Sequence, residues 1–340
     1  MNQIRIAVAD GATEFSQDSR DTVLRAALRG GVGFPHECNS GGCGGCKFDL
    51  VEGEVDNLWP EAPGLTERDH RKKLLLACQC RARTDLRIKA RVSEAYVPVI
   101  SPRRQKAVLT GVSDITHDIR EFRFRVEGRA DFKPGQFAML ELPRVNAPRA
   151  YSMSNLPNAD GEWHFQVRRV PHGEGTAQLF QHLAPGDQIE IDGPYGMAWL
   201  RDECPRDIVC VAGGSGLAPM VSIARGAAQA GMLHNRALHF FYGARTPRDV
   251  CGEQFLRALP GFGERIHYHP VVSQPDAEPD APWQGETGFV HEAVKRVLGS
   301  RLPDCEFYFA GPPPMTQSLQ SMLLLECKVN FDQVHFDRFF

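Results

Sequence analysis

Residues 38–46 read CNSGGCGGC, and a further cysteine follows at Cys78. The spacing C-x4-C-x2-C with a distant fourth cysteine is that of a [2Fe–2S] site, where four thiolates converge on two irons. Three ligands then come from one tight loop and the last from a separate strand. Gly41, Gly42, Gly44 and Gly45 open backbone conformations closed to other residues and let amide N–H groups approach the sulfurs. A structural zinc site would use two C-x2-C-like knuckles, and only one is present. The candidate ligands are therefore Cys38, Cys43, Cys46 and Cys78, with Cys80 competing for the fourth place. Cys204, Cys210, Cys251, Cys305 and Cys327 are scattered and read as plain buried residues.

Outward from this loop the chain changes style twice. Before it, Ile4, Ile6 and Val8 alternate like a half-buried strand, and Asp10-Gly11 supplies a turn. Val23, Leu24, Ala27 and Leu28 follow helical spacing after Asp21, and Gly30-Gly31 stops that helix. A second strand pattern lies near Leu86–Val92, and Pro98, Pro102, Arg103 and Arg104 read as a linker. From Lys106 strands dominate, with Phe122, Phe124 and Val126 alternating and another strand over Phe137–Leu142. Asp192-Gly193-Pro194 punctuates the end of that block. Beyond Ile208 the apolar runs Ile208–Ala212, Ala237–Tyr242 and Phe307–Ala310 alternate with helical patterns, which predicts a mostly parallel α/β sheet. The expected domains are 1–94, 105–203 and 204–340, with a linker over 95–104.

A length of 340 residues suits two or three domains. Composition is that of an ordinary soluble protein, 42% hydrophobic and 24% charged, and the net charge of −3 offers no footprint for nucleic acid or an anionic membrane. The N-terminal residues lack the basic and apolar regions of a signal peptide. The uncharged stretch Ile208–Ala224 is short for a membrane span and is interrupted by Gly213, Gly214, Gly216 and Pro219. A cytoplasmic location is expected, where clustered cysteines more often bind metal than pair.

Five further motifs carry chemistry. Arg149-Ala150-Tyr151-Ser152 fits R-x-Y-S, and Gly173-x-x-Thr176 follows a strand over Phe165–Arg168, with Thr176 expected to cap a helix over Ala177–Leu183. Gly213, Gly214, Gly216 and Pro219 form G-G-x-G-x-x-P directly after an apolar strand. Glycines there let the backbone close on a pyrophosphate at a helix start. Tyr242-Gly243-Ala244-Arg245 and Gly311-Pro312-Pro313-Pro314-Met315 end the next and the last strand patterns. Asp249 would repel a 2′-phosphate on a nucleotide bound there, although Arg248 stands beside it.

R-x-Y-S resembles the flavin motif of the ferredoxin–NADP reductase superfamily, as does the strand leading in, Phe132-x-Pro134-Gly135-Gln136-Phe137. The resemblance implies that Arg149 pairs with a flavin phosphate, for which its planar fork suits. It also implies that Tyr151 packs on the isoalloxazine and that the Ser152 hydroxyl lies near flavin N5. Gly173, Gly175 and Thr176 join that FAD site, and Arg168, at the end of the preceding strand, is a further cofactor-binding candidate. Gly243, Arg245, Gly311, Pro312 and Met315 resemble the adenosine and nicotinamide contact loops. One departure is Ala310, where many relatives carry a cysteine whose thiol contacts the nicotinamide.

The whole order resembles the NADH-dependent reductase components of bacterial multicomponent monooxygenases and ring-hydroxylating dioxygenases, most of all those of toluene monooxygenases. CNSGGCGGCK, NLWPEAPGL, RAYS, AGGSGLAPMVS and HFDRFF carry it. Leu76-Ala77-Cys78-Gln79 resembles the L-A-C-Q of plant-type ferredoxin domains, which favours Cys78 over Cys80 as ligand. The implied fold is an N-terminal β-grasp plant-type ferredoxin, an antiparallel β-barrel flavin domain and an α/β parallel-sheet nucleotide domain. The implied cofactors are FAD, a [2Fe–2S] cluster and NADH. The implied acceptor is a Rieske-type ferredoxin or a diiron hydroxylase, served by a monomer. A C-terminal aromatic, Phe339 or Phe340, covers the flavin in such reductases, with Asp337 nearby, so Ser152, Tyr151 and Phe339 are the catalytic candidates. Reductases of ring-hydroxylating dioxygenases or deoxysugar iron enzymes share the layout, and a redox sensor that does not turn over is the reading from another class. Glu37, Asp49, Glu52, Glu54 and Asp56 flank the cysteine loop against Lys47, either as a solvated face or as a docking surface for a basic partner.

Overall fold

A computed structural model describes residues 3–9, 11–278 and 282–338. It gathers into two compact units, Met1–Arg104 with Asp192–Met197, and Gln105–Ile191 with Ala198–Phe340. Phe339, Phe340 and the Asp10 half of the expected turn lie outside the described residues.

In the first unit the alternation of Ile6 and Val8 buries one face of Ile4–Val8. That strand pairs antiparallel with Glu14–Gln17 and parallel with Leu86–Lys89. Lys47–Glu52 and Leu75–Leu76 complete a five-stranded mixed sheet. Thr22 caps the helix Val23–Arg29, its hydroxyl accepting from the Arg25 N–H, and Gly30 ends it. Val23, Leu24, Ala27 and Leu28 are fully buried, so the sheet grasps the helix as the β-grasp expectation requires. Val55–Asn57 and Cys80–Ala82 form a separate two-stranded ribbon beside the cysteine loop.

The second unit holds two sheets. In the first, Phe122, Phe124 and Val126 turn inward from Ile119–Val126 and pack with Phe132, Leu140, Trp163 and Phe165. The strand order is Arg149–Ser152, Phe137–Glu141, Gln188–Tyr195, Arg103–Asp114, Ile119–Val126, Glu162–Arg168. A Met153–Phe165 bridge and the Ser154 N–H donating to the His164 carbonyl (2.8 Å) tie the first strand's end back to the last, closing a barrel. The strand Arg103–Asp114 begins inside the expected linker, because charged residues at its start hide the alternation that Ala107 and Leu109 later show.

The other sheet is parallel, in the order Glu286–Thr287, Ile266–Val272, Leu238–Ala244, Asp207–Gly213, Cys305–Gly311, Val334–Arg338. Its central strands are buried on both faces, which is why they read as continuous apolar runs. Leu217–Gln229 packs on one face, and Val290–Leu298 and Pro313–Ser321 lie on the other. No helix among the described residues is long and apolar enough to cross a membrane.

Candidate cofactor sites

In the first unit the four expected ligands come together around the 38–46 loop. They neighbour one another in two pairs, Cys38 with Cys43 and Cys46 with Cys78, each joined by a backbone N–H to sulfur contact. Backbone donors already point at the sulfurs. Ser40 and Cys43 N–H approach Cys38 Sγ at 3.5 and 3.3 Å, Gly45 N–H approaches Cys43 Sγ at 3.3 Å, and Cys78 N–H approaches Cys46 Sγ at 3.5 Å. Four convergent sulfurs ringed by N–H groups form a donor set that fits a [2Fe–2S] cluster, whose reduced state such bonds stabilise. Cys80 opens the ribbon strand Cys80–Ala82, where burial pushes its thiol up to about 12.

Asp49, Glu52 and Asp56, three of the five acids beside this loop, are met by bases on neighbouring strands. Asp49 stands opposite Lys89 in the strand register. Glu52 pairs with Arg87 at 3.4 Å and Asp56 with Arg83 at 2.5 Å. Lys47 is held by Asp69 at 2.7 Å. The charge is thus balanced locally, which weakens the reading of this flank as a single-sign docking surface.

In the second unit, R-x-Y-S forms the strand Arg149–Ser152, antiparallel to Phe137–Glu141. It meets the Gly173–Thr176 segment: a Cβ on Gly175 would lie 2.9 Å from Arg149 Cγ and 3.1 Å from the Tyr151 hydroxyl. Arg149 donates to the Ala147 carbonyl at 2.7 Å and stands 3.5 Å from Glu174, leaving its half-exposed guanidinium at the surface of this cradle. Burial pushes the Tyr151 phenol up to about 12, so it stays neutral. Ser152 Oγ is buried with no hydrogen-bond partner among the described residues. Such a hydroxyl is costly unless a ligand completes it, and it fits a flavin seated on this strand.

Thr176 is not the helix cap. The helix Glu174–Ala177 opens at Gly173 and continues as a wider turn over Gln178–His182. The Thr176 hydroxyl instead donates to the Gly173 and Val170 carbonyls, at 3.1 and 3.2 Å, and so pins the loop before the helix.

The G-G-x-G loop runs from the end of Asp207–Gly213 through a tight turn at Gly214–Gly216 into Leu217–Gln229. Gly214 sits at φ +57, and a Cβ on Gly216 would lie 2.0 Å from the Ala310 carbonyl oxygen. A Cβ on Gly213 would lie 2.7 Å from Met315 Sδ, so this loop and the 311–315 loop are packed backbone to side chain. Gly243 stands in register with Gly213 on the neighbouring strand, while Pro219 falls in the first helical turn, where no N–H is missed. An open cavity of about 730 Å³ is lined by Arg168, Gly213, Gly214, Arg245 and Pro312 among others. Ala310 is fully buried between Ala212 and Asp337.

Arg168, a cofactor-binding candidate, lines this cavity. Its Nε donates to Asp118 at 2.6 Å, and its Nη2 stands 3.7 Å from Asp249. His117 lies 3.8 and 3.6 Å from the same two carboxylates. No sequence pattern announces His117 or Asp118, because each is a single residue in a strand-connecting turn.

Family models match in the same order. A 2Fe-2S iron–sulfur cluster binding domain covers residues 6–83, an oxidoreductase FAD-binding domain 106–199, and an oxidoreductase NAD-binding domain 210–321. The chain is 41% identical to the ferredoxin–NAD(P)+ reductase CarAd of Metapseudomonas resinovorans, over 100% of both chains. It is 40% identical to the ferredoxin–NAD+ reductase component of an alkene monooxygenase system from Xanthobacter autotrophicus, covering 96% of this chain and 97% of that one. It is 33% identical to the xylene/toluene monooxygenase electron transfer component XylA of Pseudomonas putida, covering 98% and 94%. A solved ferredoxin reductase of carbazole 1,9a-dioxygenase superposes with a TM-score of 0.91 at 37% identity, covering 100% of this chain and 99% of that one. The chain therefore belongs to the family of ferredoxin–NAD(P)+ reductase components of multicomponent oxygenases.

Proposed function

We propose that the chain takes electrons from NADH through FAD and a [2Fe–2S] cluster to an oxygenase system, delivering them to a Rieske-type ferredoxin or a diiron hydroxylase component. One observation carries this reading: a single chain holds a four-sulfur cradle, a flavin strand with a buried unsatisfied hydroxyl, and a glycine loop at a nucleotide cavity. FAD, when bound, supplies the conversion of a hydride pair into single electrons, and the cluster supplies one-electron transfer. The residues of the chain hold and orient these groups. Cys38, Cys43, Cys46 and Cys78 are the iron ligands. Arg149 neutralises flavin phosphate, with Gly173, Gly175 and Thr176 shaping the loop beside it, and Tyr151 and Ser152 orient the ring, the serine bonding the atom that receives the hydride. Gly213, Gly214, Gly216 and Pro219 hold a pyrophosphate, while Gly243, Arg245, Gly311, Pro312 and Met315 bound the two ends of the nucleotide. Arg168, engaged by two carboxylates, borders the nucleotide rather than the flavin.

The division into 1–94, 95–104, 105–203 and 204–340 belongs to this reading, as do a monomeric state and a cytoplasmic location. Ten free cysteines suit a reducing compartment. The relatives serve alkene, xylene/toluene and carbazole oxygenases, and the reading extends to an aromatic-hydrocarbon substrate of the toluene type. Reconstitution tests the acceptor. NADH oxidation should accelerate on adding a purified Rieske ferredoxin or a diiron hydroxylase and continue over many turnovers. One stoichiometric reduction without turnover would favour a sensor instead.

A further inference from the structure

Residues 57–64, NLWPEAPG, take no part in the site described above, yet they lie across the cysteine loop. The Leu58 N–H donates to the Gln79 carbonyl at 2.8 Å, and the Gly64 N–H donates to the Gly41 carbonyl at 2.9 Å. Asn57 pairs with Cys80 in the ribbon, and its side-chain oxygen accepts from the Trp59 N–H at 3.2 Å. The segment is thus a strap fastened at one end just after Cys78 and at the other to the cysteine loop. Under it, the Gln79 side-chain amide donates to Cys78 Sγ at 3.7 Å. Gly41 is at φ +91, and a Cβ there would lie 3.1 Å from Trp59 Cε3 and 3.3 Å from both Cγ and Nε2 of Gln79. A glycine at that point lets the indole and the amide close over the loop. Trp59 keeps 44% of its surface exposed, so its ring is the outer cover of this corner.

We propose that Gln79 tunes the cluster: its amide raises the reduction potential by bonding the Cys78 sulfur, and Trp59 holds that amide in place. An added electron increases the negative charge on the sulfurs. A donor bonded to one of them therefore stabilises the reduced state more than the oxidised one. The step is one electron in, with no bond made or broken. The inference rests on Cys78 being a cluster ligand.

The test is an EPR-monitored redox titration of the full-length holoprotein and its variants. Gln79→Leu should lower the reduction equilibrium threefold to tenfold, about 28 to 59 mV for one electron. Gln79→Met, which is close in length, uncharged and carries no N–H donor, should move it in the same direction and decides the matter should Gln79→Leu lose its cluster. Trp59→Ala should also lower the potential, and adding it to Gln79→Leu should bring no further shift, because the indole acts through the amide. Fully loaded Gln79 variants whose potentials lie within twofold of the parent would overturn the proposal. An additive Trp59 effect would overturn its positioning part. Absence of any [2Fe–2S] signal from the parent would instead defeat the ligand assignment beneath it.

Discussion

At the scale of single residues, the most telling atom is the Ser152 hydroxyl, buried without a partner among the described residues on the strand Arg149–Ser152. Ser152→Ala should leave the fold intact and slow NADH-driven flavin reduction by about tenfold or more, read by stopped-flow absorbance. Gly216 is the steric counterpart. With the Ala310 oxygen 2.0 Å from where a Cβ would be, Gly216→Ala should cost about 1–3 kcal/mol in denaturant unfolding and weaken nucleotide binding. Both positions were legible as motif members. What the motifs could not tell was direction, as at Arg168. Its side chain turns to Asp118 and Asp249 because those carboxylates neutralise it at 2.6 and 3.7 Å.

At the scale of elements, legibility followed the hydrophobic pattern. Ile119–Val126 and Asp207–Gly213 show the period of their burial directly. Ile266–Val272 does not, since His267 and His269 take the places of apolar residues and are satisfied by stacking against His239 on the next strand. Val334–Arg338 hides similarly, an edge strand with polar residues beside Cys305–Gly311. Charge patterning left two readings open, because a run of acids shows no partners until Arg83, Arg87 and Lys89 are brought alongside three of them. Exposed pairs of this kind are worth about 0–1 kcal/mol. Glu52→Lys with Glu54→Lys should therefore change the salt dependence of acceptor reduction by less than about twofold, measured as initial rate against ionic strength. In the turn after Leu238–Ala244, Asp249 accepts from the Thr246 N–H at 2.9 Å while its other oxygen faces Arg168. Replacing it with serine should narrow the preference for NADH over NADPH by about tenfold in kcat/KM, through removal of a like charge from a 2′-phosphate.

At the scale of the whole molecule, the account is a relay whose parts can be disconnected. Cys46→Ser should remove the cluster while the barrel and the parallel sheet keep their flavin and nucleotide. NADH:ferricyanide activity should then persist, and reduction of a ferredoxin-type acceptor should fall by about a hundredfold, with iron and flavin content assayed alongside. The most direct measurement is an anaerobic titration of the purified protein with NADH, followed by absorbance and EPR. Both flavin and iron–sulfur bands should bleach progressively as NADH is added, reaching completion only beyond one NADH per chain because flavin and cluster together take three electrons, and an EPR signal from a reduced [2Fe–2S] cluster should appear. A protein lacking either set of bands, or one left unbleached by NADH, would contradict the relay.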